Sequence, residues 1–290
     1  MTLEKKSPCK INLLLNILGR RPDGFHEIET VLQPVPLCDD LALTRTASGI
    51  MLTCSEASLP ADSSNLVYRA AEKFFRLAGV SGGVRIHLEK RIPLAAGLGG
   101  GSGNAATTLL GLNELFDQPL GAGQLQEAGA ALGSDVPFFL QKNPALGTGR
   151  GEKIESFNPF PALAGATLVL VHPGFGIPTP WAYQQLGKFP EALNGRKGRA
   201  KELMAILGKT DIAAAGRAFY NSLEAPALKK YPLLVLFQEF FREQGAAATL
   251  MSGSGSSTFA LWGSRSAAER ALERFKGKFG GNFWTAAVGI

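Results

Sequence analysis

Pro93–Leu110 reads PLAAGLGGGSGNAATTLL: five of the seven residues from Gly97 to Gly103 are glycine, and the chain then takes up apolar residues at helical spacing. A helix leaves its first backbone N–H groups without intrahelical partners and carries partial positive charge at that end. Glycine lets a backbone approach a ligand closely and aim consecutive N–H groups at one point. The run that leads into the loop, GVRIHLEKRI (Gly83–Ile92), alternates Val84, Ile86 and Leu88 and reads as a strand. A glycine-rich loop between strand and helix predicts an anion site, with phosphate as its natural occupant. A tight packing turn is the competing reading.

Two common phosphate loops fail here. The Walker pattern needs glycine five residues before Gly-Lys-Thr, and the one such tripeptide, Gly208–Thr210, has Leu203 there. The dinucleotide pattern GxGxxG fits Gly97 and Gly99 but meets Ser102 where its third glycine belongs. The loop therefore belongs to some other phosphate-binding lineage.

The chain has 290 residues, 45% apolar and 19% charged, which suits a folded protein with ample core and predicts two domains. Its net charge of +6 is scattered through pairs such as Lys5–Lys6 and Lys229–Lys230, with no basic stripe interleaved with aromatics. A small anionic partner accounts for that charge, and no nucleic acid is expected. Cys9, Cys38 and Cys54 show no metal-binding spacing and are too few to staple the fold, so a reducing compartment, the cytoplasm, is expected. INLLLNIL follows three lysines like a short signal core, but Asn12 and Asn16 interrupt it and no small-residue cleavage pattern follows. It reads as a buried strand, and no apolar run reaches the roughly 20 residues that a membrane span needs.

Within Cys9–Ile17, Lys10, Asn12, Leu14 and Asn16 alternate with Ile11, Leu13, Leu15 and Ile17, so polar groups share one strand face. A cation on a buried strand demands an anionic or carbonyl partner. DDLALTRT and GIMLTCS read as further strands, and a helix opens at Asp62, Ser63 or Ser64 and closes at Gly79. The helix after the glycine loop is expected to begin at Ser102 or Gly103. A Pro-rich stretch at Asn158–Pro161 sets the expected boundary between domains 1–158 and 159–290. The second half carries a strand ATLVLVHPG, helices across 200–243, a strand pair around SGSGSS, a helix near 266–278 and a last strand.

PLAAGLGGGSGNAA resembles the nucleotide-binding motif of the GHMP kinases, the superfamily of galactokinase, homoserine kinase, mevalonate kinase and phosphomevalonate kinase. KINLLLNILGRRPDGFHEIETVLQPV (Lys10–Val35), LGSDVPFFL (Leu132–Leu140) and MSGSGSSTFAL (Met251–Leu261) are similar, in the right order, to blocks of one branch. That branch phosphorylates a cytidine diphosphate-linked methylerythritol on its 2-hydroxyl in non-mevalonate isoprenoid precursor synthesis. The resemblance implies an α+β fold of two domains, an ATP-binding N-terminal one like ribosomal protein S5 domain 2 and a ferredoxin-like, substrate-binding C-terminal one. It implies ATP and Mg²⁺, and a monomer or weak homodimer.

Carried onto this chain, the resemblance makes Asp135 the catalytic carboxylate that takes or orients the acceptor proton, and Lys10 its basic partner. Pro93, Leu94, Ala95, Ala96, Gly97, Leu98, Gly99, Gly100, Gly101, Ser102 and Gly103 form the ATP loop. Asn12 contacts the substrate, Phe25 stacks on the cytosine, His26 reads its edge, Tyr183 stacks on the opposite face and Thr179 lies beside it. The Ser252–Ser257 loop, on its own a hairpin turn, becomes a substrate or phosphate contact. Two positions depart from the pattern: Gly103 replaces a serine, and Phe25 a tyrosine. No acidic cluster declares itself as a magnesium ligand, and His26, His87 and His172 lack transition-metal spacing. Another GHMP kinase and a catalytically silent nucleotide sensor remain as alternatives, with an RNA-binding module a more distant one.

Overall fold

The computed structural model describes residues 2–290. Strands β1 (Thr2–Arg20), β2 (His26–Thr46) and β3 (Gly49–Cys54) lead to helix α1 (Leu66–Ala78) and strand β4 (Gly83–Glu89). Helices α2 (Gly100–Leu115) and α3 (Ala122–Leu132) follow, then β5 (Ala145–Thr148), β6 (Lys153–Ser156) and β7 (Thr167–His172). Next come α4 (Thr179–Gln185), α5 (Pro190–Leu193), α6 (Arg199–Leu207), α7 (Ile212–Arg217) and the two-residue β8 (Tyr220–Asn221). The chain ends with α8 (Glu224–Lys230), α9 (Pro232–Glu243), β9 (Ala248–Met251), β10 (Thr258–Trp262), α10 (Arg265–Phe279) and β11 (Trp284–Gly289).

The chain forms two compact units that interleave in sequence. One takes the residues up to Cys9, Leu37–Ile92 and Gly99–Lys142; the other takes Lys10–Pro36, Pro93–Leu98 and Asn143–Ile290. Because β1 and β2 are long enough to run through both, these units do not divide the chain at one point, whereas the sequence places a single boundary near 158.

In the first unit β4 pairs antiparallel with the end of β2, from Asp40 opposite Glu89 to Thr46 opposite Gly83, and parallel with β3. DDLALTRT is thus the continuation of β2, not a separate strand. Asn65 caps α1, its side chain accepting from the Val67 N–H, one residue beyond the expected openers, and Gly79 closes the helix in the left-handed region as its sequence predicts. Helix α2 is buried on nearly every side, as its small residues Gly103, Ala105 and Ala106 permit. It begins at Gly100, ahead of the expected Ser102, because Gly99 takes φ +70° and turns the chain straight into the helix.

In the second unit the start of β2 pairs with β5, which pairs with β6, while Leu14 and Leu15 of β1 pair parallel with β8. A separate antiparallel sheet runs in the order β11-β7-β10-β9. With helices between β7 and β9 and α10 between β10 and β11, this is the βαββαβ arrangement of a ferredoxin-like fold. Strand β7, TLVLVH, is buried throughout, as a central strand covered on both faces should be. Phe237, Phe240 and Phe241 of α9 pack with Phe275 of α10 and Trp262 of β10, mostly edge to face.

Candidate functional site

The polar face of β1 is built inside the second unit. Lys10 and Asn12 are each 3% exposed, and Ile11, Leu13, Leu14 and Leu15 are buried too, so the strand is covered on both faces rather than one. The Lys10 ammonium donates to Asn12 Oδ1 at 2.6 Å and to the Gly97 carbonyl at 3.1 Å. Asn12 Nδ2 in turn donates to Thr30 Oγ1 at 2.8 Å, and Thr30 donates to the Leu14 carbonyl. That chain of donors fixes which end of the Asn12 amide faces the lysine. The Lys10 backbone N–H donates to the Leu98 carbonyl at 2.9 Å, so the glycine loop is fastened to β1 on either side of its lysine.

Residues Pro93–Leu98 belong to this unit. Ala95 sits at φ +51° and Gly97 at φ +76°. A side chain on Gly97 would run into the Ser252 carbonyl and meet Gly255 at 3.0 Å, so glycine is required there for conformation and for space. Ser252–Ser257, joining β9 to β10, is the loop that demands this space. Its Ser252 Oγ donates to the Gly97 carbonyl at 3.0 Å, and its Ser257 N–H to the Ala96 carbonyl at 3.1 Å. A Cβ on Gly253 would stand 2.9 Å from the Gly97 carbonyl and 3.2 Å from Lys10 Nζ. Two glycine-rich loops therefore meet backbone to backbone beside the buried lysine.

Helix α4 presents Thr179 and Tyr183 one turn apart on the same side. Thr179 Oγ1 lies 2.9 Å from Ser254 Oγ, and the Tyr183 ring lies 4.9 Å from the His26 ring at 36°. Those two rings touch, which leaves no room for a base between them. Burial, aided by Arg20, holds His26 below its usual pKa, so at neutral pH the ring offers one donor and one acceptor. Phe25 is 51% exposed, and the Arg150 guanidinium covers its ring at 4.6 Å from the centroid.

In the first unit Gly99 is the cap residue of α2, with no side chain capping the helix and no acidic residue in its first turn. Gly103 N–H returns to the Gly99 carbonyl, leaving the N–H groups of Gly100, Gly101 and Ser102 at the open end of the helix. A Cβ on Gly103 would lie 2.6 Å from the Pro8 carbonyl. The missing hydroxyl at this position thus accompanies a close approach of β1 that a serine would have to push apart. Asp135 stands half-buried in the turn between α3 and the short helical turn Pro137–Leu140.

The structure thus gathers Lys10, Asn12 and Gly97 at one point, Thr179 against the second loop, and His26 against Tyr183. Sequence reasoning missed Thr30, Arg150 and Asn221; the last donates to the carbonyls of Met251 and Gly253, both at 2.8 Å. It also missed a buried ion pair beneath α2 in the first unit. There Lys90 donates to the fully buried Asp39, whose carboxylate also accepts from Asn104 and from the backbone N–H groups of Arg91 and Ile92. The adjacent Lys90–Arg91 and Asp39–Asp40 pairs are its only local signal. All three cysteines are free.

The GHMP kinases N terminal domain model matches residues 65–143 and the GHMP kinases C terminal model residues 193–281. A protein of Pelotomaculum thermopropionicum named 4-diphosphocytidyl-2-C-methyl-D-erythritol kinase is 40% identical over 277 residues, 95% of this chain and 94% of its own. One of the same name from a Synechococcus species is 41% identical over 91% of this chain and 86% of its own. A crystal structure of 4-(cytidine 5′-diphospho)-2C-methyl-D-erythritol kinase superposes with a TM-score of 0.82 at 36% identity, covering 99% of this chain and 100% of that one. Homoserine kinase from Cytophaga hutchinsonii, 21% identical, shares the fold with a TM-score of 0.74, over 99% of this chain and 93% of its own.

Proposed function

Since the chain belongs to the GHMP kinases, we infer that it phosphorylates 4-diphosphocytidyl-2-C-methyl-D-erythritol on the 2-hydroxyl at the expense of ATP. The observation that carries this reading is the buried Lys10 held by Asn12 and the Gly97 carbonyl where two glycine-rich loops meet. Phosphoryl transfer asks little covalent chemistry of a protein; it depends on positioning and on charge near the transferring group. Lys10, fixed at three atoms of its own unit, supplies charge in a place that water does not screen. Asp135 is proposed as the group that takes or orients the proton of the acceptor hydroxyl.

ATP suits the glycine loop on two counts. Gly97 lacks the room for a Cβ, and the α2 N-terminus has neither a capping side chain nor an acidic residue to compete with phosphate. Among the described residues no cluster of three His, Cys, Asp or Glu side chains could hold a metal. Magnesium, if it enters with ATP, would rest mainly on phosphate oxygens and water, as this cation commonly does, and it would neutralise phosphate charge. For the second substrate we propose Phe25, His26, Thr179 and Tyr183 as the cytidine contacts, with the base against the open side of this group rather than between His26 and Tyr183. Residues 1–158 and 159–290 are proposed as its ATP-binding and substrate-binding domains. Among the described residues no helix is long and apolar enough to cross a membrane.

The test is ADP release by the purified protein with ATP and Mg²⁺, with and without the cytidylyl substrate, beside homoserine and mevalonate. Turnover that requires the cytidylyl substrate supports the reading. Turnover with another acceptor, or none with any, overturns it in favour of a different GHMP kinase or a silent nucleotide sensor.

A further inference from the structure

The segment Asn221–Glu224, from the end of β8 to the first residue of α8, carries no residue of the glycine loop, yet it fastens both β1, which carries the buried lysine, and β9, which leads into the second loop. Ser222 ties the segment to β1: its N–H donates to the Leu15 carbonyl at 2.8 Å, and its Oγ accepts from the Ile17 N–H at 3.0 Å. Asn221, 2% exposed, donates both amide hydrogens to the far side, to the carbonyls of Met251 and Gly253. Its own Oδ1 accepts from the Leu223 N–H, so the amide cannot turn without losing all three bonds. Glu224 completes the clamp, with Oε1 accepting from the Met251 N–H at 2.8 Å and from Gln238 Nε2 at 2.5 Å.

We propose that Asn221 and Glu224 are positioning residues for phosphoryl transfer, holding the Ser252–Ser257 loop at the spacing from β1 that seats Gly253 and Ser252 against Lys10 and Gly97. This rests on the kinase reading above. Met251 is gripped at its N–H by Glu224 and at its carbonyl by Asn221, and the second Asn221 bond lands on Gly253, the residue that faces Lys10 Nζ. Loss of the Asn221 donors would leave these two carbonyls unsatisfied, and the loop would shift to find them other partners. Small displacements of a group that contacts a catalytic centre are expensive for turnover while substrate binding elsewhere persists.

Asn221→Asp keeps the shape and removes both donors. The expected result is a roughly 10- to 100-fold fall in kcat per folded molecule, with KM for ATP and for the acceptor within about threefold of wild type. Amide hydrogen exchange should quicken at residues 252–257 while the β7–β10 ladder keeps its protection. Glu224→Gln retains an acceptor for the Met251 N–H and should recover most of the turnover that Glu224→Ala loses; this pair carries the test if Asn221→Asp does not fold. Unchanged exchange in the loop, protection lost throughout the unit, or faster loop exchange with kcat unaltered overturns the proposal. The exchange measurement needs no substrate, so it stands apart from the kinase assay. A wild-type protein inert toward all acceptors refutes the functional reading while leaving the clamp itself to be judged by exchange.

Discussion

Two carboxyl groups carry separate predictions, Asp135 for turnover and Glu224 for stability. Asp135 stands half-buried at a turn, and it is the group proposed above to receive the acceptor proton. Asp135→Asn keeps the shape and removes the base, so turnover should fall roughly 10²- to 10⁴-fold with KM for ATP little changed; steady-state kinetics at saturating acceptor decide this, and near-full activity would take Asp135 out of the mechanism. Desolvation raises the pKa of the Glu224 carboxyl to about 7, against the smaller opposing pull of the Met251 N–H, Gln238 and Arg242. Its folded value exceeds its unfolded one, so the protein binds the proton more tightly when folded. The stability this contributes is complete below about pH 4.5 and is lost as pH rises toward 7. The whole effect is about 3 kcal/mol. Urea denaturation at pH 5 and pH 8 should show wild type losing more stability across that interval than Glu224→Gln, and equal losses would mean that the carboxyl stays ionised throughout.

Elements transmit these local choices to the site. The glycine loop works because β1 and the β9–β10 connection press on it from within one unit, and Gly97 is the position with no slack. Gly97→Ala adds a Cβ at φ +76° against the Ser252 carbonyl, so the second loop must move away from Lys10. KM for ATP should rise roughly tenfold or more and kcat should fall with it. Gly123 in α3 is the contrast: nothing lies within 4 Å of its Cβ position, and Gly123→Ala should leave kinetics alone while adding about 0.5–1 kcal/mol of stability in thermal melts. The glycine loop, the buried lysine and the cap at Gly79 were legible in sequence because each is a local signal of conformation or charge. Helix α2 started early because two glycines look like loop until a turn directs them into a helix. Asn221, Thr30 and the Asp39–Lys90 pair were illegible for another reason. Their roles depend on partners 16 to 51 residues away, as from Thr30 to Leu14 or Lys90 to Asp39, and a two-residue strand such as β8 has no periodicity to read.

At the scale of the whole chain, the same four sequence blocks that suggested the family are scattered across both compact units. Lys10 and the SGSGSS loop fall in one, Asp135 in the other, and the glycine-rich stretch changes unit between Leu98 and Gly99. The boundary proposed near residue 158 divides the chain by sequence order, whereas compactness follows strand pairing, and β1 and β2 are shared. That sharing has a thermodynamic consequence. To unfold the first unit alone, the chain would have to release the start of β1 and the end of β2 while their remaining halves stayed paired with β8 and β5. Fraying a strand in its middle strips backbone groups of partners and gains little chain entropy, so intermediates with one unit open are disfavoured. Equilibrium unfolding in urea should therefore give one transition, with the far-ultraviolet signal of the helices and the near-ultraviolet signal of Trp181, Trp262 and Trp284 falling together. All three tryptophans lie in the second unit, whereas the helix signal comes from α1, α2 and α3 of the first unit as well as α4–α10 of the second. A first unit that opened alone would lower the helix signal and leave the tryptophan signal in place. Separate midpoints would show that β1 and β2 can part in the middle and that each unit is stable alone.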